Sequence, residues 1–103
     1  MRNGIIKNMD TNEAIIKLQR IKPYLQQEYA VKRVGLFGST ARGNHTDSSD
    51  VDILVEFERP VGIEFIDLSY LLEKELNGKV DIVSRMGIKD KYFKEIEKDI
   101  IYV

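Results

Sequence analysis

Three aspartates and one turn carry the chemistry that this sequence can be read for. Asp50 and Asp52 stand two residues apart at the head of an apolar run, Val51-Asp52-Ile53-Leu54-Val55. In an extended chain residues i and i+2 leave the same face, so the two carboxylates lie side by side. Like charges that close are unfavourable without a counter-cation. Mg2+ takes hard oxygen ligands and is usually held by one or two carboxylates together with substrate phosphates. The pair equally fits a solvated, polar strand start. Asp81 is a third lone carboxylate, set in Val80-Asp81-Ile82-Val83. If its strand neighbours that of Asp52, it can face the same site, help to hold metal and accept the proton of an attacking hydroxyl. Its alternative role is an edge-strand charge that discourages aggregation. Glu56 shares the face of Asp52 but lies four residues on, and reads as structural.

Upstream, Gly38-Ser39 follows the apolar run Val34-Gly35-Leu36-Phe37. Gly38 lets the backbone come close to a ligand. Ser39 offers a hydroxyl and an N–H, and a helical turn starting here would aim its unbonded N–H groups at an anion. Arg42, one turn on, can reach a phosphate as a fork. Ser39 equally suits a helix N-cap. The turn lacks the Gly-Lys-Ser/Thr of a Walker A loop and is no Gly-x-Gly-x-x-Gly turn. A phosphate-friendly turn followed by paired carboxylates is a pattern of metal-dependent phosphoryl chemistry. His45, the only histidine, falls in a polar loop and reads as solvent-exposed. Tyr29, Tyr92 and Tyr102 read as core or interface residues.

The elements that must position these residues follow from periodicity. Asp10 with Glu13 resembles a capping box. Ala14, Ile15, Leu18 and Ile21 follow helical spacing, and Pro23 should break or reset that helix, starting a short second one to about Tyr29. Ala30 to Phe37 reads as a strand, and Thr40 to Gly43 as one helical turn stopped by glycine. Asp50 to Phe57 alternates Val51, Ile53, Val55 and Phe57 against Asp50, Asp52, Leu54 and Glu56, the period of a strand with one buried face. Ile63 to Leu76 is an amphipathic helix with the stripe Ile63, Ile66, Leu68, Leu71, Leu72 and Leu76, and Gly78 just past its end. Lys79 to Ser84 is a third strand, Lys91 to about Asp99 a last helix, and Ile101 to Val103 an apolar tail able to pair as a short strand. Residues 1–9 read as a flexible arm, and 10–103 as one domain built on a mixed sheet.

With 103 residues the chain fits a single domain of modest core. Sixteen basic and seventeen acidic residues give a net charge of −1, so no global field draws nucleic acid or membrane. The absence of cysteine excludes disulfides and thiolate metal sites and fits a reducing cytoplasm. The first ten residues lack a signal-peptide apolar core, and no apolar run approaches membrane length.

Gly38-Ser39-x-Ala41-Arg42-Gly43, then Ser49-Asp50-x-Asp52, then a carboxylate on the next strand resembles the DNA polymerase β-type nucleotidyltransferase superfamily. The compact form resembles the minimal nucleotidyltransferase (MNT) proteins, antitoxins of HEPN/MNT toxin–antitoxin pairs. The match runs over most of the chain from about Ala30. The resemblance implies an α+β, single-domain nucleotidyltransferase fold, a small mixed sheet flanked by helices. It implies that Asp50, Asp52 and Asp81 form the catalytic and metal site for two Mg2+ ions, and that Gly38, Ser39, Arg42 and Ser49 bind the nucleotide. It further implies ATP as substrate and a HEPN-family ribonuclease toxin as partner. A tyrosine of that toxin would receive AMP, as in a type VII-like antitoxin.

The small size supports a protein acceptor, since little chain is left to grip tRNA, DNA or a drug. The helix Ile63 to Leu76 and the tail Tyr92 to Val103 are candidate docking surfaces. Two other readings stay open: neutralisation of the toxin by binding alone, and nucleotidyl transfer to a small molecule.

Overall fold

The computed structural model describes residues 10–44 and 50–103; the expected N-terminal arm lies outside them. Helix α1 (Thr11–Tyr29) leads into strand β1 (Val31–Phe37), the short helix α2 (Gly38–Arg42) and strand β2 (Val51–Phe57). Helix α3 (Ile63–Leu76), strand β3 (Val80–Ser84), helix α4 (Asp90–Glu97) and strand β4 (Ile101–Tyr102) complete the chain. The four strands form one sheet in the order β3-β2-β1-β4. β1 runs antiparallel to both β2 and β4, whereas β2 and β3 are parallel. This is the small mixed sheet with helices that the sequence leads one to expect.

Alternation decides which sheet face carries the main core, although Leu54 and Phe37 on the other face are buried too. Val51, Ile53, Val55 and Phe57 are buried with Val34 and Leu36 of β1, and α1 and α3 close over them through Ala14, Leu18, Leu25, Leu68, Leu72 and Leu76. Full burial of such side chains contributes about 1.5–3 kcal/mol each, so the two helices are held by this face. The opposite face carries Asp52 and Asp81, and the pleat sets both there automatically.

Pro23 does not break α1, which runs unbroken from Thr11 to Tyr29. Pro23 and Gln19, whose carbonyl loses its N–H partner, both lie on the exposed side of the helix, while Leu18 and Leu25 anchor it on either side of the proline. The Asp10 cap forms as expected, accepting from the Glu13 N–H at 2.8 Å. Ala30, expected to open the strand, instead caps α1 in the left-handed region at φ 57°. In α3 the expected stripe holds only in part: Ile63 and Ile66 are 70% and 51% exposed, because Phe65, packed on the core beside Phe57, is the residue that the first turn directs inward. Asn77 rather than Gly78 takes the left-handed position after α3, at φ 54°. The C-terminal tail is no free arm. Val103 N–H donates to Val34 O at 2.9 Å, and Lys22 Nζ to Val103 O at 2.7 Å. Among the described residues no helix is long and apolar enough to cross a membrane.

Candidate active site

The site is assembled where β1 ends and β2 and β3 begin. Sheet register does most of the work: Phe37 pairs with Asp52 across the antiparallel ladder, and Asp52 pairs with Asp81 across the parallel one. Three residues in line across adjacent strands, with strands about 4.8 Å apart, bring the end of the Gly38 turn, Asp52 and Asp81 together. The Val51 N–H donates to Lys79 O at 2.9 Å, which ties the starts of β2 and β3 beside the carboxylates. Asp50 precedes the first residue of β2 and is exposed; Asp81 is exposed and Asp52 half-buried.

Gly38 is the tightest joint. Its φ is +69°, and a Cβ built on it would overlap the Asp52 carboxylate, standing 3.0 Å from Cγ and 3.3 Å from Cβ. The bare Cα is therefore required both by the left-handed backbone and by the carboxylate against it. The helix that follows starts at Gly38, two residues before the expected Thr40, which places Phe37 rather than Ser39 at the cap position with no side-chain cap bond. Ser39 is thus the second residue of the turn. Gly43, at φ 81°, ends α2 as expected, its N–H directed at the Ser39 and Thr40 carbonyls.

Two further contacts hold α2. Thr40 is 1% exposed and accepts at its carbonyl from Thr11 Oγ1, while its own Oγ1 is buried without a partner among the described residues. Arg42 Nη1 lies 3.4 Å from Asp99 Oδ2, at the end of the α4 region. The structure therefore brings Gly38, Ser39, Asp52 and Asp81 into one neighbourhood, sets Asp50 at its margin, and engages Arg42 with a carboxylate. Ser49 and His45 lie outside the described residues. Thr11 and Asp99 carry no sequence signal for this neighbourhood, because 29 and 57 residues separate them from their partners.

Among the described residues the charged ligands gathered here are carboxylates, the hard-oxygen chemistry that Mg2+ takes. Among the described residues no three such side chains close on a point that could hold a metal by themselves. A strand-paired Asp52 and Asp81 with a bare glycine turn against one of them fits a cation whose remaining ligands are phosphate oxygens. The residues present thus suit a metal–nucleotide complex better than a free resident ion.

Residues 18–103 match the nucleotidyltransferase domain family. A Methanocaldococcus jannaschii protein named "Putative protein adenylyltransferase MJ1379" is 44% identical over 90 residues, covering 84% of this chain and 90% of the relative. Protein adenylyltransferase MntA of Thermococcus cleftensis is 39% identical over 83 residues, covering 80% of this chain and 84% of its own. A solved structure described as a "putative minimal nucleotidyltransferase" superposes with a TM-score of 0.80 at 29% identity, covering 91% of this chain and 96% of the other. The fold is shared with a chain of the complex of tri-AMPylated Shewanella oneidensis HEPN toxin with MNT antitoxin, at TM-score 0.64 and 19% identity over 86% of this chain and 70% of that one.

Proposed function

Because this chain belongs to the nucleotidyltransferase domain family, we propose that it transfers AMP from ATP to a tyrosine of a HEPN-type ribonuclease toxin, silencing it as a type VII-like antitoxin. The observation that carries the reading is the register that sets Asp81 beside Asp52 and, by pairing Phe37 with Asp52, brings the Gly38 turn against the Asp52 carboxylate. Relatives named as protein adenylyltransferases support the reaction. The shared fold with a chain of the HEPN–MNT complex is what suggests the acceptor.

In this reading Gly38, Ser39, Arg42 and Ser49 hold the triphosphate, and Asp50, Asp52 and Asp81 hold two Mg2+ ions. Bound Mg2+ would neutralise the triphosphate and the charge that develops during transfer. The acceptor hydroxyl attacks the α-phosphorus, the new O–P bond replaces the bond to pyrophosphate, and the hydroxyl proton passes to the Asp81 carboxylate. Positioning and charge neutralisation supply most of the rate. Arg42 leaves Asp99 for phosphate when nucleotide arrives, an exchange that costs little because Arg42 is exposed and Asp99 only half-buried.

A second reading, neutralisation by binding alone, is favoured by one feature. Ile63, Ile66 and Tyr70 form an exposed stripe along α3, with 70%, 51% and 69% exposure, that nucleotidyl transfer does not need. The two readings separate when the protein and its toxin are incubated with Mg2+ and ATP labelled at the α-phosphate. Label on the toxin supports transfer. No label, together with full rescue of growth by the Asp50→Ala/Asp52→Ala double variant, supports binding alone.

A further inference from the structure

We propose that Thr11 is a positioning residue for the nucleotide turn, acting from the first turn of α1 on the carbonyl of Thr40; this rests on the nucleotidyl-transfer reading above. Helix α2 has five residues. A helix that short is not stable by itself, since nucleation costs more than one turn returns. Its N-terminus has no side-chain cap either. The place of Gly38 and Ser39 is therefore set by what ties α2 to the rest of the molecule.

Among the described residues Ala41 packs against the core, which holds α2 without fixing its direction, and three polar features could direct it, unequally. The Arg42–Asp99 pair, at 3.4 Å with side chains 49% and 34% exposed, is of the kind that contributes little. The Thr40 side chain is buried, but its hydroxyl finds no partner among the described residues, so it contributes packing without direction. The Thr11 hydroxyl supplies the directional tie, a part-buried hydrogen bond to the Thr40 carbonyl. That carbonyl also accepts from the Gly43 N–H at 3.3 Å, so Thr11 grips the residue on which α2 turns and ends. Thr11 is itself well anchored. It follows the Asp10 cap, and Ala14 and Leu18 seat its helix in the core. A hinge at Thr40 moves Gly38 and Ser39 relative to Asp52, against which Gly38 is already closely packed. Thr11 thus sets the distance between the phosphate turn and the carboxylates without touching either.

The test compares Thr11→Val, which keeps the shape and loses the hydroxyl, with Thr11→Ser, which keeps the hydroxyl. Two readouts are taken on the whole chain: the Kd of Mg·ATP by calorimetry, and amide hydrogen exchange across residues 38–43. Thr11→Val is expected to weaken Mg·ATP binding about fivefold, the ratio that corresponds to one ordinary hydrogen bond. It is expected also to speed exchange in α2 while leaving exchange in α3 unchanged. Thr11→Ser is expected to restore both. Equal loss in both variants would overturn the proposal, because the methyl rather than the hydroxyl would then matter. Unchanged affinity and exchange in Thr11→Val would overturn it as well. If the wild-type chain binds no Mg·ATP, the nucleotidyl-transfer reading fails, and the exchange arm alone still decides whether Thr11 holds α2.

Discussion

Replacing Gly38 by alanine perturbs the site by one methyl group, and the consequence can be worked out beforehand. The new Cβ would stand 3.0 Å from Asp52 Cγ and overlap the carboxylate oxygen. Carbon atoms settle at about 3.5–4.0 Å, so the carboxyl must retreat by about 0.5–1 Å. A displacement of about 1 Å at a reacting centre can cost about 100-fold in rate. The backbone adds its own term, because φ +69° is strained for any residue with a side chain, at about 1–3 kcal/mol. Gly43→Ala supplies the control: its φ of +81° imposes the same backbone strain, but a Cβ there meets nothing within 4 Å. Gly43→Ala is therefore expected to lose about 1–3 kcal/mol in a urea titration, and Gly38→Ala more, because the overlap with Asp52 adds to the same backbone strain. Only Gly38→Ala is expected to lose about two orders of magnitude in AMP transfer, with Gly43→Ala within about threefold of wild type. Equal activities in the two variants would refute the claim that the Gly38–Asp52 contact matters to chemistry.

Ser39→Ala is expected to weaken Mg·ATP binding less than Asp52→Asn, because backbone N–H groups can still contact phosphate; a calorimetric titration in which the serine change costs more would show the hydroxyl to be the main ligand. Pro23→Ala restores a helical N–H at an exposed position inside α1 and is expected to raise stability by about 1–3 kcal/mol in urea unfolding, with no gain or a loss counting against the continuous helix. The Gly62 N–H donating to Glu64 Oε1 at 3.0 Å, with Arg59 nearby, holds the Glu64 carboxyl below its ordinary value. Its contribution is therefore present above the unfolded-state value and is lost as pH falls through the lower folded one. Glu64→Gln should flatten the acid side of a Tm–pH profile, and an unchanged profile would mean that the bond is not made in solution.

The parts of the molecule that follow from local pattern were legible in the sequence. Alternation over Val51 to Phe57 identifies β2 and puts Asp52 on the face away from the core, where it is found. The Asp10 cap, the Gly43 stop and the pairing of the C-terminal tail follow from local chemistry of the same kind. What stayed hidden depends on partners distant along the chain. Periodicity cannot say that β3 lies parallel to β2 with Asp81 opposite Asp52, since pairing register is a tertiary property. It cannot say which apolar residues of the first α3 turns the core will take, so Ile63 and Ile66 read as buried although they are exposed and Phe65 packs inward instead. Pro23 misleads in the opposite direction, because a breaker rule describes the backbone alone and packing of Leu18 and Leu25 overrides it. Thr11 shows the limit most plainly: a threonine in the first turn of a helix looks like a helix start, and its hold on Thr40 exists only in the folded chain.

The central claim is that the Gly38 turn and the carboxylates of β2 and β3 form one metal-dependent nucleotide site. Calorimetric titration of the intact chain with ATP tests it most directly, run with Mg2+, with a chelator in place of Mg2+, and with the Asp52→Asn variant. Saturable binding in Mg2+ that weakens sharply with chelator and with Asp52→Asn is the predicted result. Affinity equal in all three titrations would contradict it.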